Sequence, residues 1–176
     1  MSFFRKIYKE EKQTTDDFTT RYEEFRKIKY MVPEGKVIFD PFYFDGTSAK
    51  YIKECFKPAR IIHENKDYLS GKFKLPKFDI IVTNPPFTKK YEVLKWLIES
   101  KKPFICLFPM QIISTQKFTE LTKDDRLHII VRSGRMRFER HGTLLPSSAH
   151  YPCVWIARGL KPLGTHLNLP HILDYV

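Results

Sequence analysis

Two hydrophobic periods alternate along this chain, and their order outlines a fold. In "TTDDFTTRYEEFRKIKYMV", residues 14–32, polar capping residues lead into Phe18, Tyr22, Phe25, Ile28 and the Tyr30/Met31 pair, a spacing that predicts a leading helix. "GKVIFDP" is a short apolar strand closed by Asp-Pro, and "TSAKYIKECF" reads as a helix with Ser or Thr near its N-cap. "ARIIHEN" gives a second strand and "KFDIIVTNPPF" a third, followed by the helical "KYEVLKWLIES". "PFICLFPMQII" is a fourth strand, and "LHIIVRSGRMRF" and "YPCVWIARG" are two β-rich runs joined by a long polar connection. Strands alternate with helices and finish in a hairpin-like pair, the pattern of an open, largely parallel α/β sheet whose last pair is antiparallel. In such sheets ligands sit beyond the carboxyl ends of the strands. Three of those ends carry polar residues: Asp40, the triplet His63-Glu64-Asn65, and Asn84.

Composition adds a size and a charge to this outline. A chain of 176 residues with 42% hydrophobic and 15% aromatic content supports one packed core. No repeat or linker divides it, so residues 15–176 are expected to form a single domain after a charged, flexible segment at 1–14. The formal net charge of +11 and a pI near 9.5 favour a polyanionic partner, nucleic acid ahead of an acidic membrane face. No stretch approaches the roughly 18 apolar residues of a transmembrane helix, and "MSFFRKIYKEEKQ" lacks the apolar centre of a secretion signal. The expectation is a soluble intracellular protein, cytoplasmic or, in a eukaryotic host, nuclear. Cys55, Cys106 and Cys153 lie far apart with no paired spacing for zinc, and are expected as buried small hydrophobes.

The third strand carries the chemistry. Prolines cannot donate to a ladder, so "FDIIVTNPPF" must stop as a strand where Asn84 appears. Asn84-Pro85-Pro86-Phe87 resembles the motif of amino-group methyltransferases, and in the N6-adenine enzymes among them the acceptor, an exocyclic adenine amine, is a poor nucleophile because its lone pair is delocalised into the ring. If the Asn84 side-chain oxygen and the Pro85 carbonyl accept its two hydrogens, the lone pair can turn out of the ring plane. Tandem prolines, Pro85 and Pro86, would fix the carbonyl, and Phe87 would stack on an extruded base.

These residues resemble the catalytic motif of amino-group methyltransferases that use S-adenosylmethionine, especially the N6-adenine enzymes. "DPFYFDG" is similar to their cofactor loop, and "DDFTT" to a Phe-Thr-Pro element that some of them carry. The resemblance covers roughly residues 15 to 160 as an ordered series of motifs. It implies a Rossmann-like class I methyltransferase fold, a mostly parallel sheet with a late antiparallel strand. It also implies S-adenosylmethionine as cofactor and adenine in nucleic acid as substrate, DNA slightly ahead of RNA. By resemblance Phe18 and Thr19 belong to the cofactor site. Asp40, followed by Pro41 and Phe42, would accept from the methionine amino group, and Asp45 and Gly46 would sit against the cofactor. Gly46 stands alone where the families often have two or three glycines. An acidic side chain at the second strand accepts the ribose hydroxyls in those families, which makes Glu64 and then Asp67 the candidates here. Only about forty residues separate Asp40 from Asn84, so a helix-strand unit of the full fold is expected to be compressed or missing.

The late segment "RSGRMRFERHGTLLPSSAHYPCVWIAR" is similar to the end of phage-type adenine methyltransferases. Arg132, Arg135, Arg137 and Arg140 could contact phosphates, and Phe138 or Tyr151-Pro152 could wall the base pocket. Lysines 89, 90, 95, 101 and 102 read as solvated positions. No separate target-recognition domain is visible, so target choice falls to loops, to a partner subunit or to a second copy in a homodimer. Two other readings stay open: a protein N5-glutamine methyltransferase, which uses a related motif with Tyr at the aromatic position, and an inactive methyltransferase-like subunit that binds nucleic acid.

Overall fold

A run such as Ile80–Thr83, buried along its whole length, is what a strand covered on both faces looks like. The computed structural model describes residues 16, 18–131, 135–144, 152–160 and 172–175. Its strands are β1 Thr19–Thr20, β2 Val37–Phe39, β3 Arg60–Ile62, β4 Ile80–Thr83, β5 Phe104–Pro109, β6 Leu127–Val131, β7 Phe138–Arg140, β8 Thr143–Leu144, β9 Cys153–Arg158 and β10 Ile172–Tyr175. The helices are α1 Tyr22–Lys27, α2 Thr47–Phe56, α3 Lys90–Glu99 and α4 Gln116–Thr122.

Seven strands form one sheet in the order β10-β6-β9-β5-β4-β2-β3. The pairs β3·β2, β2·β4 and β4·β5 are parallel, whereas β9 runs antiparallel to both β5 and β6. The expected late antiparallel strand is therefore present, inserted between its neighbours. Strand pleating sends Ile38, Ile80, Val82, Ile105, Leu107 and Trp155 to one face, where they pack with Phe25 of α1 and Ile52 and Phe56 of α2. Phe39, Ile81, Phe104, Cys106, Phe108 and Ile156 go to the other, against Val93, Leu94 and Leu97 of α3 and Phe118 of α4. The three cysteines are buried and form no disulfide, and burial pushes the thiols of Cys55 and Cys153 up to about 11 and about 12, leaving them inert as nucleophiles.

Local sequence explains the ends of these elements. Gly46 takes the left-handed conformation before α2, at φ 82°, and Thr115 accepts the Phe118 amide at the start of α4. The buried Arg158 donates to the carbonyls of Leu97, Ile98 and Lys102 and pairs with Asp125 at 2.9 Å, so a β9 side chain satisfies the C-terminal end of α3.

The structure departs from the expected elements in several places. The leading helix is only α1, because Thr19 and Thr20 before it pair as a strand with Glu139 and Phe138 of β7. The run 127–138 splits: β6 joins the large sheet, and β7 joins a small sheet in the order β1-β7-β8. "QII" after β5 curls into a 3-10 turn, Met110–Ser114. Between β3 and β4 there is one short 3-10 turn, Tyr68–Ser70, so β4 pairs directly with β2 and β3 is left at the sheet edge. That is the compression expected from the short interval. No helix among the described residues is long and apolar enough to cross a membrane.

Candidate functional site

The carboxyl ends of β2, β3 and β4 lie side by side because these strands are adjacent and parallel. Asp40 follows β2 and is 2% exposed. Its carboxylate accepts from Thr83 Oγ1 at 2.5 Å, from Ser48 Oγ at 2.7 Å, and meets His63 Nδ1 at 3.1 Å. The His63 Nδ1 also lies 3.1 Å from the Asp40 carbonyl. One buried carboxylate thus ties the ends of three strands to the first turn of α2. Asp40, expected as an acceptor for a cofactor amino group, has its carboxylate engaged by these protein donors. Burial opposes charge on His63, but the hydrogen bond and the charge of Asp40 outweigh it and raise the imidazole above its usual value. A raised value in the folded state means stability that is fully present below the unfolded pKa of about 6.5 and is lost as pH rises through the folded one. We expect the margin in melting temperature of the wild type over His63→Gln to be largest near about pH 6 and to shrink towards about pH 8. A margin that stays constant over that range would mean that His63 does not carry this charge.

Asn84 stands at the end of β4 beside this anchor. Its Nδ2 donates to the Phe18 carbonyl at 3.0 Å, while its Oδ1 is buried and has no hydrogen-bond partner among the described residues. A carbonyl can only accept, so the Phe18 contact sets which way the amide is turned. Phe18, directly before β1, packs against β7: its ring lies 5.9 Å from that of Phe138, under the Arg140 guanidinium at 5.3 Å. Glu139 of β7 fastens the same unit, accepting from Arg21 Nε at 3.1 Å and from the Tyr51 hydroxyl at 2.7 Å. That hydrogen bond, with burial, pushes the Tyr51 phenol up to about 12. Asp16 accepts from both the amide and the hydroxyl of Thr88, one residue after the Asn-Pro-Pro-Phe motif.

Two hollows meet at Asn84 and Phe18. The larger, about 320 Å³, is lined by Asp16, Phe18, Pro41, Phe42, Tyr43, Phe44, Asn65, Lys66, Asp67, Tyr68, Leu69, Asn84, Pro86 and Lys89. The narrower is lined by Asp16, Phe18, Asn84, Pro85, Phe87 and Phe138. Of the residues expected around a cofactor, the larger cavity brings together Phe18, Pro41, Phe42 and Asp67. Thr19, Asp45, Gly46 and Glu64 are not on its wall. Thr19 is buried, with its hydroxyl 3.4 Å from the Asp45 carboxylate, and Asp45 caps the Thr47 amide at 2.9 Å. Above Gly46 lies Tyr43, whose hydroxyl would be 3.2 Å from a Cβ placed there. The Glu64 carboxylate accepts from Lys66 at 2.7 Å and Tyr68 at 2.6 Å, and these donors, Lys66 first, lower its pKa from the ordinary value. Asp67 lines the cavity while also capping the Leu69 amide.

Of the residues expected at the substrate, Phe138 is buried and forms part of the narrow hollow's wall, and Arg135 and Arg137, which precede β7 rather than belonging to a strand, are exposed with Met136 buried between them. Arg132 and Tyr151 lie outside the described residues. Sequence reasoning missed Tyr43, Phe44, Asn65 and Lys89 as wall residues. Asn65 carried a signal as part of the strand-end triplet, whereas Lys89, read as solvated, is exposed and reaches the cavity only because the turn Phe87–Lys89 folds back beside Asn84. Thr83 and Ser48, the partners of Asp40, gave no signal beyond strand and cap propensity.

No protein-family model matches this sequence, and a search of curated proteins finds no match. Among solved structures it is similar to a dimethyladenosine transferase from Plasmodium falciparum, with a TM-score of 0.54 and 13% identity over 81% of this chain. The alignment spans 62% of that enzyme's length. It is also similar to an S-adenosylmethionine-dependent O-methyltransferase from Thermotoga maritima, with a TM-score of 0.53 and 12% identity over 90% of this chain and 71% of the other. The architecture is the Rossmann-like class I methyltransferase fold, as the resemblance of the motifs implied.

Proposed function

We propose that this protein is an S-adenosylmethionine-dependent methyltransferase acting on the N6 amino group of adenine in nucleic acid. The observation that carries the reading is Asn84: a buried carboxamide oxygen without a partner among the described residues, held in one orientation by the bond from its Nδ2 to the Phe18 carbonyl. A buried acceptor left unsatisfied costs about 1–3 kcal/mol, and a ligand donor that met it would recover that cost. An adenine amine is such a donor. The two hollows that Asn84 separates suit a cofactor on one side and a base on the other.

The larger cavity fits the cofactor in size, at the lower end of the roughly 300–1,000 Å³ of small-molecule sites, and in chemistry. Pro41, Phe42 and Tyr43 would hold its apolar parts, Asn65 and Asp67 its hydroxyl and amine donors, and Lys89 its carboxylate. Asp40 would act through the loop it anchors. When bound, S-adenosylmethionine supplies an electrophilic methyl group, which the amine lone pair takes while sulfur keeps the bonding electrons and a proton leaves the nitrogen. The residues of the chain then have two tasks. Asn84 Oδ1 and the Pro85 carbonyl accept from the amine and steady the charge that develops on it; Phe87 and Phe138 bound the base. Neither task needs a strong general base, in keeping with two hollows whose described walls carry no histidine.

The net charge of +11 supports a nucleic-acid substrate. Arg135 and Arg137 are both exposed, in the segment that leads directly into Phe138 of the narrow hollow. Replacing both by Gln is expected to lower the slope of log affinity against log salt by about 1.4 to 1.8 while leaving cofactor affinity unchanged. An unchanged slope would remove these arginines from the interface. The reading as a whole is tested by supplying labelled cofactor with separate pools of DNA, RNA and protein, then identifying the methylated atom by mass spectrometry. N6-methyladenine is the expected product, and label confined to glutamine side chains would replace this reading with the N5-glutamine one.

A further inference from the structure

We infer that residues 71–77, the loop standing where the helix-strand unit is compressed, form a second nucleic-acid contact that takes an unpaired stretch of strand beside the cavity. This rests on the nucleic-acid reading of the substrate. The loop reads Gly-Lys-Phe-Lys-Leu-Pro-Lys, and every residue in it except Pro76 is exposed. Phe73 is 42% exposed and Leu75 36%, in a protein that otherwise leaves only Tyr43 and Leu144 among its large hydrophobics so open among the described residues.

The Phe73 ring is braced from within rather than loose. The Lys66 ammonium lies 5.8 Å from its centroid, and the Tyr68 ring 6.1 Å away. Lys66 and Tyr68 also line the main cavity, so the loop continues from that cavity's wall. The far end is pinned where Arg60 Nη2 on the edge strand β3 reaches the Lys77 carbonyl at 3.5 Å.

Charge within the loop is one-sided, with three lysines and no acid. Lys72, Lys74 and Lys77 form no ion pair among the described residues, and the carboxylates of the flanking segments are hydrogen-bonded elsewhere. Glu64 holds Lys66 and Tyr68, Asp67 caps the Leu69 amide, and Asp79 accepts the Val37 amide at 2.7 Å. An exposed ring set between unpaired lysines is the combination that binds single strands: the ring stacks on a base and the ammonium groups meet phosphates. Paired bases are stacked on each other and offer no free face to Phe73, so the chemistry selects an unpaired segment.

The test uses a labelled oligothymidylate, which contains no adenine and so leaves the methyl-accepting position out of the measurement. By fluorescence anisotropy the wild type should bind it, Phe73→Ala should weaken binding about fivefold or more at an unchanged salt slope, and Lys72→Gln/Lys74→Gln should lower that slope by about 1.4. All three positions are exposed, and unchanged melting temperatures should confirm that the variants fold. If both variants bind oligothymidylate as the wild type does, or if the wild type does not bind it, the inference is overturned. It is overturned equally if the variants lose affinity only for vesicles of phosphatidylserine and phosphatidylcholine. Methyl transfer to adenine-containing strands is measured in parallel. Activity in a wild type whose loop variants bind normally discards the loop alone, whereas loss of oligothymidylate binding in those variants with no methylation by the wild type discards the activity and keeps the loop.

Discussion

Asn84→Ala is expected to lower methyl transfer by about a hundredfold or more while leaving cofactor affinity within about twofold of wild type, the scale seen when one preorganised hydrogen-bonding group is removed from a reacting centre. The reasoning is geometric. Asn84 gives its Nδ2 to the Phe18 carbonyl and keeps Oδ1 unpartnered among the described residues, so the group lost is one that the folded chain itself does not use. An interaction made only with the reacting amine appears in turnover rather than in cofactor binding. The substitution also frees the Phe18 carbonyl, so a loosening of the β1 strand is a foreseeable side effect. Asn84→Asp separates the two: it keeps an acceptor towards the amine but sets a carboxylate against the Phe18 carbonyl. Asp should therefore retain more turnover than Ala only if the acceptor matters more than the anchor. An Ala variant with most of its turnover intact would remove Asn84 from the chemistry.

How much of this was legible in the sequence depended on whether the determining contact was local. The helix "TSAKYIKECF" is observed with those bounds, Thr47–Phe56, since its apolar positions repeat at helical spacing and a left-handed glycine precedes it. The strand ends at Asp40, His63 and Asn84 stood out because a polar residue after a buried apolar run is visible in one dimension. Thr19–Thr20, by contrast, looks like the start of a helix, and its pairing with β7 is fixed by a strand more than a hundred residues away. The helix Gln116–Thr122 was not expected, as a seven-residue segment with Phe118 and Thr122 as its buried residues offers little periodicity. Glu64 shows the same limit at the site. An acid after the second strand reads as a ribose acceptor, and the structure adds what the pattern does not show: Tyr68 four residues on and Lys66 two residues on both donate to its Oε2. Which polar residues line a cavity and which are engaged by neighbours is decided by the packing of loops. Periodicity carries no record of it.

The same distinction governs the second large effect, at Asp40. Asp40→Ala is expected to cost about 3–5 kcal/mol of stability, the usual result of removing one partner from a buried charged cluster, and to weaken cofactor binding about tenfold or more. Thr83 and Ser48 would each lose an acceptor, and His63, whose raised pKa depends on this carboxylate, would be left buried with neither Nδ1 contact to the side chain nor a partner for Nε2 among the described residues. The strand ends would then no longer be tied to α2, and Pro41, Phe42 and Tyr43, which follow Asp40 directly and line the cavity, would lose their fixed start. Affinity should thus fall through the loop's geometry. Asp40→Asn tests that route, because it preserves size and one acceptor oxygen for Thr83 or Ser48 while removing the charge that favours a protonated His63. If Asp40 acts by anchoring, Asn should recover part of both stability and affinity, and the two should fall together across the pair of variants. Calorimetry with the cofactor, on protein shown to be folded at the measuring temperature, supplies the comparison with melting temperature. Normal stability with lost affinity would mean that the carboxylate touches the cofactor itself, and normal affinity in Asp40→Ala would leave "DPFYFDG" as no more than a turn.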